Sequence, residues 1–355
     1  MATSVRIETL LEEVLRRDAS DLHLQVGLPP ILRIDGYLRK ITDMPNLTAQ
    51  NVTDLVYSMI DEDQRARLDT DKEIDFSFAF GDLGRFRVNA FHEKGVLAAA
   101  LRLIPTKIRT LAQLGMPKVL ADFTKLPHGL VLMTGPTGSG KSTTQAAMID
   151  MINENRSVHI ITIEDPIEYQ HMHKKSIVVQ RELHFDTDSF GTALRSALRE
   201  DPDVVLIGEM RDLETIATAI TVAETGHLVL ATLHTNSAAQ SVDRMIDVFP
   251  PHQQQQIRIQ LASVIQGIVS QRLIPLVGGG RIAAAEVMVA TSAIRNIIRE
   301  AKTHQLDAAI QTGADVGMQS MDRVLVQLVH EGKVTYEDAK SFVIDPDEFE
   351  RILRK

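Results

Sequence analysis

The nonapeptide GPTGSGKST, Gly135 to Thr143, follows the apolar run GLVLM and precedes TTQAAMIDMI, which reads as a helix. Few local patterns constrain a fold as tightly. Gly135, Gly140, Lys141 and Ser142 have the spacing of a Walker A loop. Glycines let backbone N–H groups turn inward on a β-phosphate, Lys141 reaches the β- and γ-phosphates, and the Ser142 hydroxyl is a ligand for Mg²⁺. Gly135, Pro136, Thr137, Gly138, Ser139, Gly140, Lys141, Ser142 and Thr143 together form the candidate cradle. A strand–loop–helix of this kind belongs to a parallel sheet with crossover helices, so an α/β domain is expected around it.

The flanking sequence agrees. Apolar runs predict strands near 129–134, 158–163, 203–208 and 228–233, PLVGGGR reads as a turn between two late strands, and helices start near Thr291, Gln319 and Thr335. Residues 1–104 read instead as a smaller α/β domain of antiparallel type. Leu10, Leu11, Val14 and Leu15 make a helical stripe, and DLHLQVG alternates as a strand. Asp35-Gly36 between apolar flanks is a hairpin signal, because that turn needs positive φ. Thr48 caps a helix carrying Val52, Leu55, Val56, Met59 and Ile60, and three strands follow. In the second of them Phe86, Val88 and Ala90 face one way, Arg85, Arg87 and Asn89 the other. The proline-bracketed stretch at 105–117 reads as a linker, which leaves 118–355 as the larger domain.

Composition narrows the function classes. Forty-seven acids against 38 bases give a net charge of −9, and there are four tyrosines, no tryptophan and no basic stripe. A nucleic-acid translocase is disfavoured on those grounds. The absence of cysteine excludes disulfides and thiolate zinc sites and fits a reducing cytoplasm. The apolar runs are far shorter than the roughly 20 residues that cross a bilayer, and acids inside the first helix argue against a signal peptide.

Hydrolysis needs an acceptor to orient water and cations to meet growing charge. VVLIGEM ends a buried strand in Glu209, although Gly208 stands where a Walker B strand usually has Asp. IITIEDPIEY supplies Glu164, Asp165 and Glu168 after another strand; a solvated acidic loop is the plain alternative. In ETGHLVLATLHTNS, His227 and His234 flank a strand too apolar to be exposed. One such histidine is ordinarily structural. Two beside strands of a P-loop domain point to a γ-phosphate sensor, and seven residues apart they have no zinc spacing.

The Walker A loop, ITIEDPIEY, LIGEMRDLET and TGHLVLATLHT occur in the order of the secretion ATPase superfamily, which powers type II secretion and type IV pili. With SDLHL, GRFRVNAF and AIRNIIRE (Ala293–Glu300), the chain resembles its PilT branch, the pilus retraction motors, over nearly its whole length. The resemblance implies a RecA-like P-loop ATPase core with a smaller N-terminal PAS-like α/β domain. It implies Glu168 as catalytic glutamate, Glu209 as the Walker B acid supporting Mg²⁺ and its water shell, and His234 near the γ-phosphate with His227 close by. Arg87 and Arg102 match arginines that reach toward the nucleotide. The family pattern further implies ATP and Mg²⁺ as cofactors, a homohexamer, and work on an inner-membrane pilus platform from the cytoplasmic face. The segment at 105–117 becomes the hinge.

Two departures stand out: Gln145 where the family commonly has an apolar residue, and GGG at 278–280, which can lengthen or loosen a hairpin. No extra N-terminal domain and no cysteine quartet of the kind found in many extension or secretion ATPases is visible, which favours retraction over assembly. An accessory subunit modulating a partner motor is the alternative. On residues alone, AIRNIIRE is an amphipathic turn with Ile294, Ile297 and Ile298 inward and Arg295 and Arg299 outside.

Overall fold

The computed structural model describes residues 5–34, 36–81, 83–105 and 107–354. They fall into two compact units, Met1–Thr106 and Lys107–Lys355. Among the described residues no helix is long and apolar enough to cross a membrane.

The first unit begins with α1 (Ile7–Arg16), whose Ile7, Leu10, Leu11 and Val14 are buried at i, i+3, i+4, i+7 spacing. Six strands follow in one sheet: β1 (Asp21–Leu24), β2 (Ile31–Ile34), β3 (Tyr37–Lys40), β4 (Glu73–Phe80), β5 (Gly84–Glu93) and β6 (Val96–Ile104). The order is β3-β2-β1-β6-β5-β4, antiparallel throughout, with the first strand beside the last as in a PAS-like sheet. The β2–β3 hairpin closes with Ile34 opposite Tyr37; Asp35 of the expected turn lies outside the described residues. Thr48 and Asn51 form a capping box at the start of α2 (Ala49–Tyr57), a device worth ~1 kcal/mol. The helix stops before Met59, and α3 (Glu62–Asp71), which hydrophobic periodicity does not reveal, starts at a second box of Asp61 and Gln64 and buries only Leu68.

On β5, Phe86, Val88 and Ala90 are buried and the alternate face carries Arg85, Arg87 and Asn89, as alternation predicts. Arg87 stands directly opposite Arg102 of β6, which in turn stands opposite Asp21 of β1.

The second unit starts earlier than the expected linker boundary. Leu111 and Met116 are buried in one of its apolar clusters with Phe123 and Ile149. Most of the stretch at 105–117 is therefore packed chain, because its apolar side chains find a surface to cover. Then come α4 (Val119–Phe123), β7 (Gly129–Thr134), α5 (Lys141–Asn155), β8 (His159–Glu164), β9 (Ile177–Glu182), α6 (Phe190–Ala197), β10 (Val204–Ile207), α7 (Leu213–Glu224) and β11 (Leu228–Leu233). The remainder comprises α8 (Ala238–Asp247), α9 (Pro251–Val264), β12 (Ile265–Pro275), β13 (Arg281–Val289), α10 (Ser292–Arg299), α11 (Leu306–Thr312), α12 (Met321–His330), α13 (Tyr336–Lys340) and α14 (Pro346–Leu353).

Seven strands pair in the order β13-β12-β7-β11-β10-β8-β9, parallel except for β13. All residues of β7, β10 and β11 are buried, so these central strands read as continuous apolar runs. This is the RecA-like core. It brings the carboxyl ends of β7, β8, β10 and β11 to one sheet edge, where α/β proteins bind ligands.

The octapeptide at Ala293–Glu300 departs from its expected solvation. Ile294 and Ile298 are buried and Ile297 packs against the same cluster, as the period requires. Arg295, expected outside, folds back: its Nη1 donates to the carbonyls of Ala262 (2.7 Å) and Ser263 (2.8 Å). Nε donates to Ala290 O at 3.2 Å and Nη2 to Gln266 Oε1 at 3.0 Å. Its guanidinium thus satisfies carbonyls that the last turn of α9 leaves without intrahelical donors.

Candidate active site

The Walker A loop leaves β7 at Gly135 and enters α5 at Lys141. Gly135 has φ +137°, and a Cβ there would lie 2.3 Å from Gln271 O of β12, so no other residue fits the close approach. The Gln271 side chain adds a second brace. Its Nε2 donates to Ser139 O at 2.9 Å, and its Oε1 accepts from Thr144 Oγ1 at 2.9 Å. Loop and first helical turn are thereby held to one strand before any phosphate arrives.

Lys141 is 8% exposed and its ammonium donates to Gly135 O (2.7 Å) and Pro136 O (3.0 Å). Burial lowers its pKa, while the nearby Glu168 and Glu209 carboxylates oppose that shift. The site thus holds a cation whose present partners are neutral carbonyls.

Glu209 follows β10 and is mostly enclosed. Its Oε2 lies 3.1 Å from His234 Nε2, and its other oxygen pairs with Arg211. Gly208 has a local reason to replace a side-chain-bearing residue: a Cβ would come within 3.1 Å of both Glu164 Cα and Ile163 O. Strand β11 delivers His234 to the same edge, and Met210 N donates to Thr232 O at 3.0 Å, tying the two strand ends together.

From the end of β8 the chain runs through Glu164 to Glu168 and Tyr169. Tyr169 and Thr143 share a hydroxyl–hydroxyl bond of 2.8 Å, which links this loop to the Walker A helix. Glu168 itself is exposed. Burial pushes the Glu164 carboxyl up to about 7, opposed by hydrogen bonds from Thr162, Gln180 and the Glu168 N–H, and reinforced by the Glu168 charge. His171 is driven the other way, to about 4, again chiefly by burial.

One cleft is lined by Thr137, Gly138, Lys141, Ser142, Glu168, Glu209 and His234, seven of the expected site residues. His227 is a correction. It precedes β11 while His234 follows it, so the two lie at opposite ends of the strand, roughly 20 Å apart at strand rise. Its Nδ1 lies 3.0 Å from Val222 O and 3.1 Å from Thr225 Oγ1, so it serves the end of α7 rather than the cleft. Arg87 and Arg102 belong to the first unit, where a concavity is lined by them with Asp21, Asp75 and Asn89.

Sequence reasoning passed over Gln271, Gln180 and Arg211. Arg211 lies two residues from Glu209 and was in reach; the two glutamines are reached only through sheet neighbours remote in sequence.

The residues fit a nucleotide and a magnesium ion. The open cradle, a lysine bonded to main-chain oxygens, and a serine and an acid in one cleft are what a triphosphate and its metal require. Among the described residues no group of three or more His, Asp or Glu could hold a metal alone.

Comparison with known proteins supports a nucleotide site. Residues 3–279 match the family described as Type II/IV secretion system protein. The chain is 50% identical over 343 residues to the type IV pilus retractation ATPase PilT of Pseudomonas aeruginosa, covering 97% of this chain and 99% of that protein. It is 41% identical over 336 residues to the type IV pilus ATPase PilU of the same organism, covering 94% and 88%. A crystal structure of the pilus retraction motor PilT with bound ADP superposes with a TM-score of 0.91 at 50% identity, covering 98% of this chain and 99% of that one. On cradle, sheet order and these matches together, the chain belongs to the Type II/IV secretion system protein family.

Proposed function

We infer that this protein is an ATPase that drives type IV pilus retraction. The observation that carries the reading is the convergence of Lys141, Glu168, Glu209 and His234 at the carboxyl edge of one parallel sheet. The activities of relatives that align along nearly the whole chain support it.

In this reading Lys141 leaves Gly135 O and Pro136 O for the β- and γ-phosphates. Gly135–Thr143, Pro136 apart, supply main-chain N–H donors to the phosphates. Glu168 orients the attacking water and takes its proton. His234, held by Glu209, lies beside the γ-phosphate. Mg²⁺ would be held by Ser142 directly and by Glu209 in part through water; when bound it withdraws charge from the phosphate oxygens. Arg87 and Arg102 add positive charge to the transition state.

We further propose a homohexamer working at the cytoplasmic face of the inner membrane on the pilus platform. Coupled closure of neighbouring subunits then turns cleavage into displacement. The similarity to PilU supports a second reading, an accessory subunit that modulates a partner motor. Deleting the gene separates them: lost retraction favours the motor, and retention in the presence of a second such gene favours the accessory role.

The enzymatic test is direct. Purified protein with ATP and Mg²⁺ releases phosphate, Lys141→Ala does not, and Glu168→Gln binds ATP but scarcely turns it over. An inert wild-type protein across several buffers would sink the reading.

A further inference from the structure

Glu168 sits on a loop, yet a residue that orients water must be held to within about 0.5 Å. The bonds that hold this loop converge on one side chain outside the known motifs, Gln180 of β9. Its Nε2 donates to Tyr169 O at 2.8 Å and to Glu164 Oε1 at 3.2 Å, and its Oε1 accepts from His171 N at 2.8 Å. The same Glu164 oxygen accepts from Thr162 Oγ1 at 2.6 Å, and the Glu164 carboxylate also receives the backbone N–H of Glu168. Residues 165–168 are therefore pinned at their start through Glu164 and just beyond their end through Tyr169 and His171. Tyr169 carries the network on to Thr143 of the Walker A helix.

Only a side-chain amide suits this position. It must donate twice and accept once in one plane; a carboxylate has no donor when ionised, and an ammonium has no acceptor. Gln180 can do so because β9 runs parallel to β8 with Gln180 in register with Thr162, two residues before Glu164.

We propose that Gln180 is a positioning residue for ATP hydrolysis, fixing the Glu164–His171 loop so that Glu168 meets the attacking water. This rests on the reading of Glu168 as the catalytic base. Among the described residues the Gln180 amide bonds to Glu164, Tyr169 and His171 and not to the nucleotide cradle or Glu168's carboxylate, so its effect falls on turnover rather than on binding.

The test is steady-state ATPase kinetics, with nucleotide affinity from a fluorescent ADP analogue, on Gln180→Ala, Gln180→Glu and Glu168→Gln. Gln180→Glu keeps the size and the acceptor for His171 N–H but loses both donors, so it separates bonding from packing. Both Gln180 variants are expected to lose about tenfold or more in kcat, with KM and analogue affinity within about threefold of wild type. Wild-type kcat in Gln180→Glu overturns the proposal, as does a parallel loss of kcat and affinity in both variants, which marks a general scaffold role. If Glu168→Gln is inert while the Gln180 variants turn over normally, only the positioning role fails. If Glu168→Gln hydrolyses at the wild-type rate, the base assignment fails and the proposal with it.

Discussion

Arg102 Nε donates to Asp21 Oδ1 at 2.9 Å across the β1–β6 pair, so an exposed arginine is steered by a largely enclosed carboxylate. Burial opposes ionisation of Asp21, but hydrogen bonds from Ser20 and Arg102 overcome it and hold its pKa below the usual range. Asp21→Asn weakens that steering and leaves the Arg102 charge intact. We expect kcat to fall about three- to tenfold, with a smaller additional loss in Asp21→Asn combined with Arg102→Ala than either change predicts alone. A double-mutant cycle on kcat/KM checks this; strict additivity would separate the two residues.

Glu286 of β13 is 4% exposed and accepts the Ala238 N–H at 2.8 Å, at the start of α8. Burial pushes its carboxyl up to about 7; the Ala238 and Ser270 bonds pull down, and Asp307 and Asp322 push up. Between its ordinary 4.5 and about 7 the folded group keeps a proton that the unfolded chain has lost, so its contribution to stability falls as pH rises through that window. Glu164, also at about 7, acts in the same sense, whereas His171, at about 4, adds stability as pH rises through its own window up to 6.5. Glu286→Gln removes one part of this. Its melting temperature should exceed wild type by roughly 3–8 °C near pH 8, with the gap closing toward about pH 5. Thermal melts across that range decide it, and a pH-independent gap would refute the ionisation account.

Gln145 is 3% exposed and its Nε2 has no hydrogen-bond partner among the described residues. A buried amide donor without a partner costs about 1–3 kcal/mol. Gln145→Leu is expected to raise unfolding free energy by roughly 1 kcal/mol in urea titrations. A loss of stability instead would show that the amide has a bonding role in the folded protein.

Arg295 answers carbonyls of α9 and of the turn before its own helix. Burial lowers its pKa, with the Arg299 charge adding to that. Arg295→Ala should cost about 1–3 kcal/mol, and Arg295→Lys should recover only a part, because an ammonium cannot span the same set in one plane. Equal stability of the Lys variant and wild type would show that charge alone suffices.

The cradle was legible because glycine spacing, an apolar strand before it and a helix after it are local facts. The same holds for β5, where alternation sorted Phe86 from Arg87, and for Thr48, whose capping role needs only Asn51. Other features depend on partners far along the chain. Nothing near Gln271 announces that β12 lies against β7, so its grip on Ser139 and Thr144 is visible only once the sheet order is known. His227 lies away from the cleft: two histidines around one strand look like neighbours in sequence yet are separated by the full length of β11. From sequence Arg295 reads as solvated, because its acceptors, the carbonyls of Ala262 and Ser263, carry no side-chain signature. The α3 segment hides for another reason: it buries a single leucine and declares itself only through its cap.

The tight seat of Gly135 against Gln271 has a mechanical corollary. A phosphate pocket wedged onto a neighbouring strand has no slack to give when its anion comes or goes. A loop seated this closely, and bonded through the Gln271 side chain as well, is fastened to the β-sheet behind it at both ends of its turn.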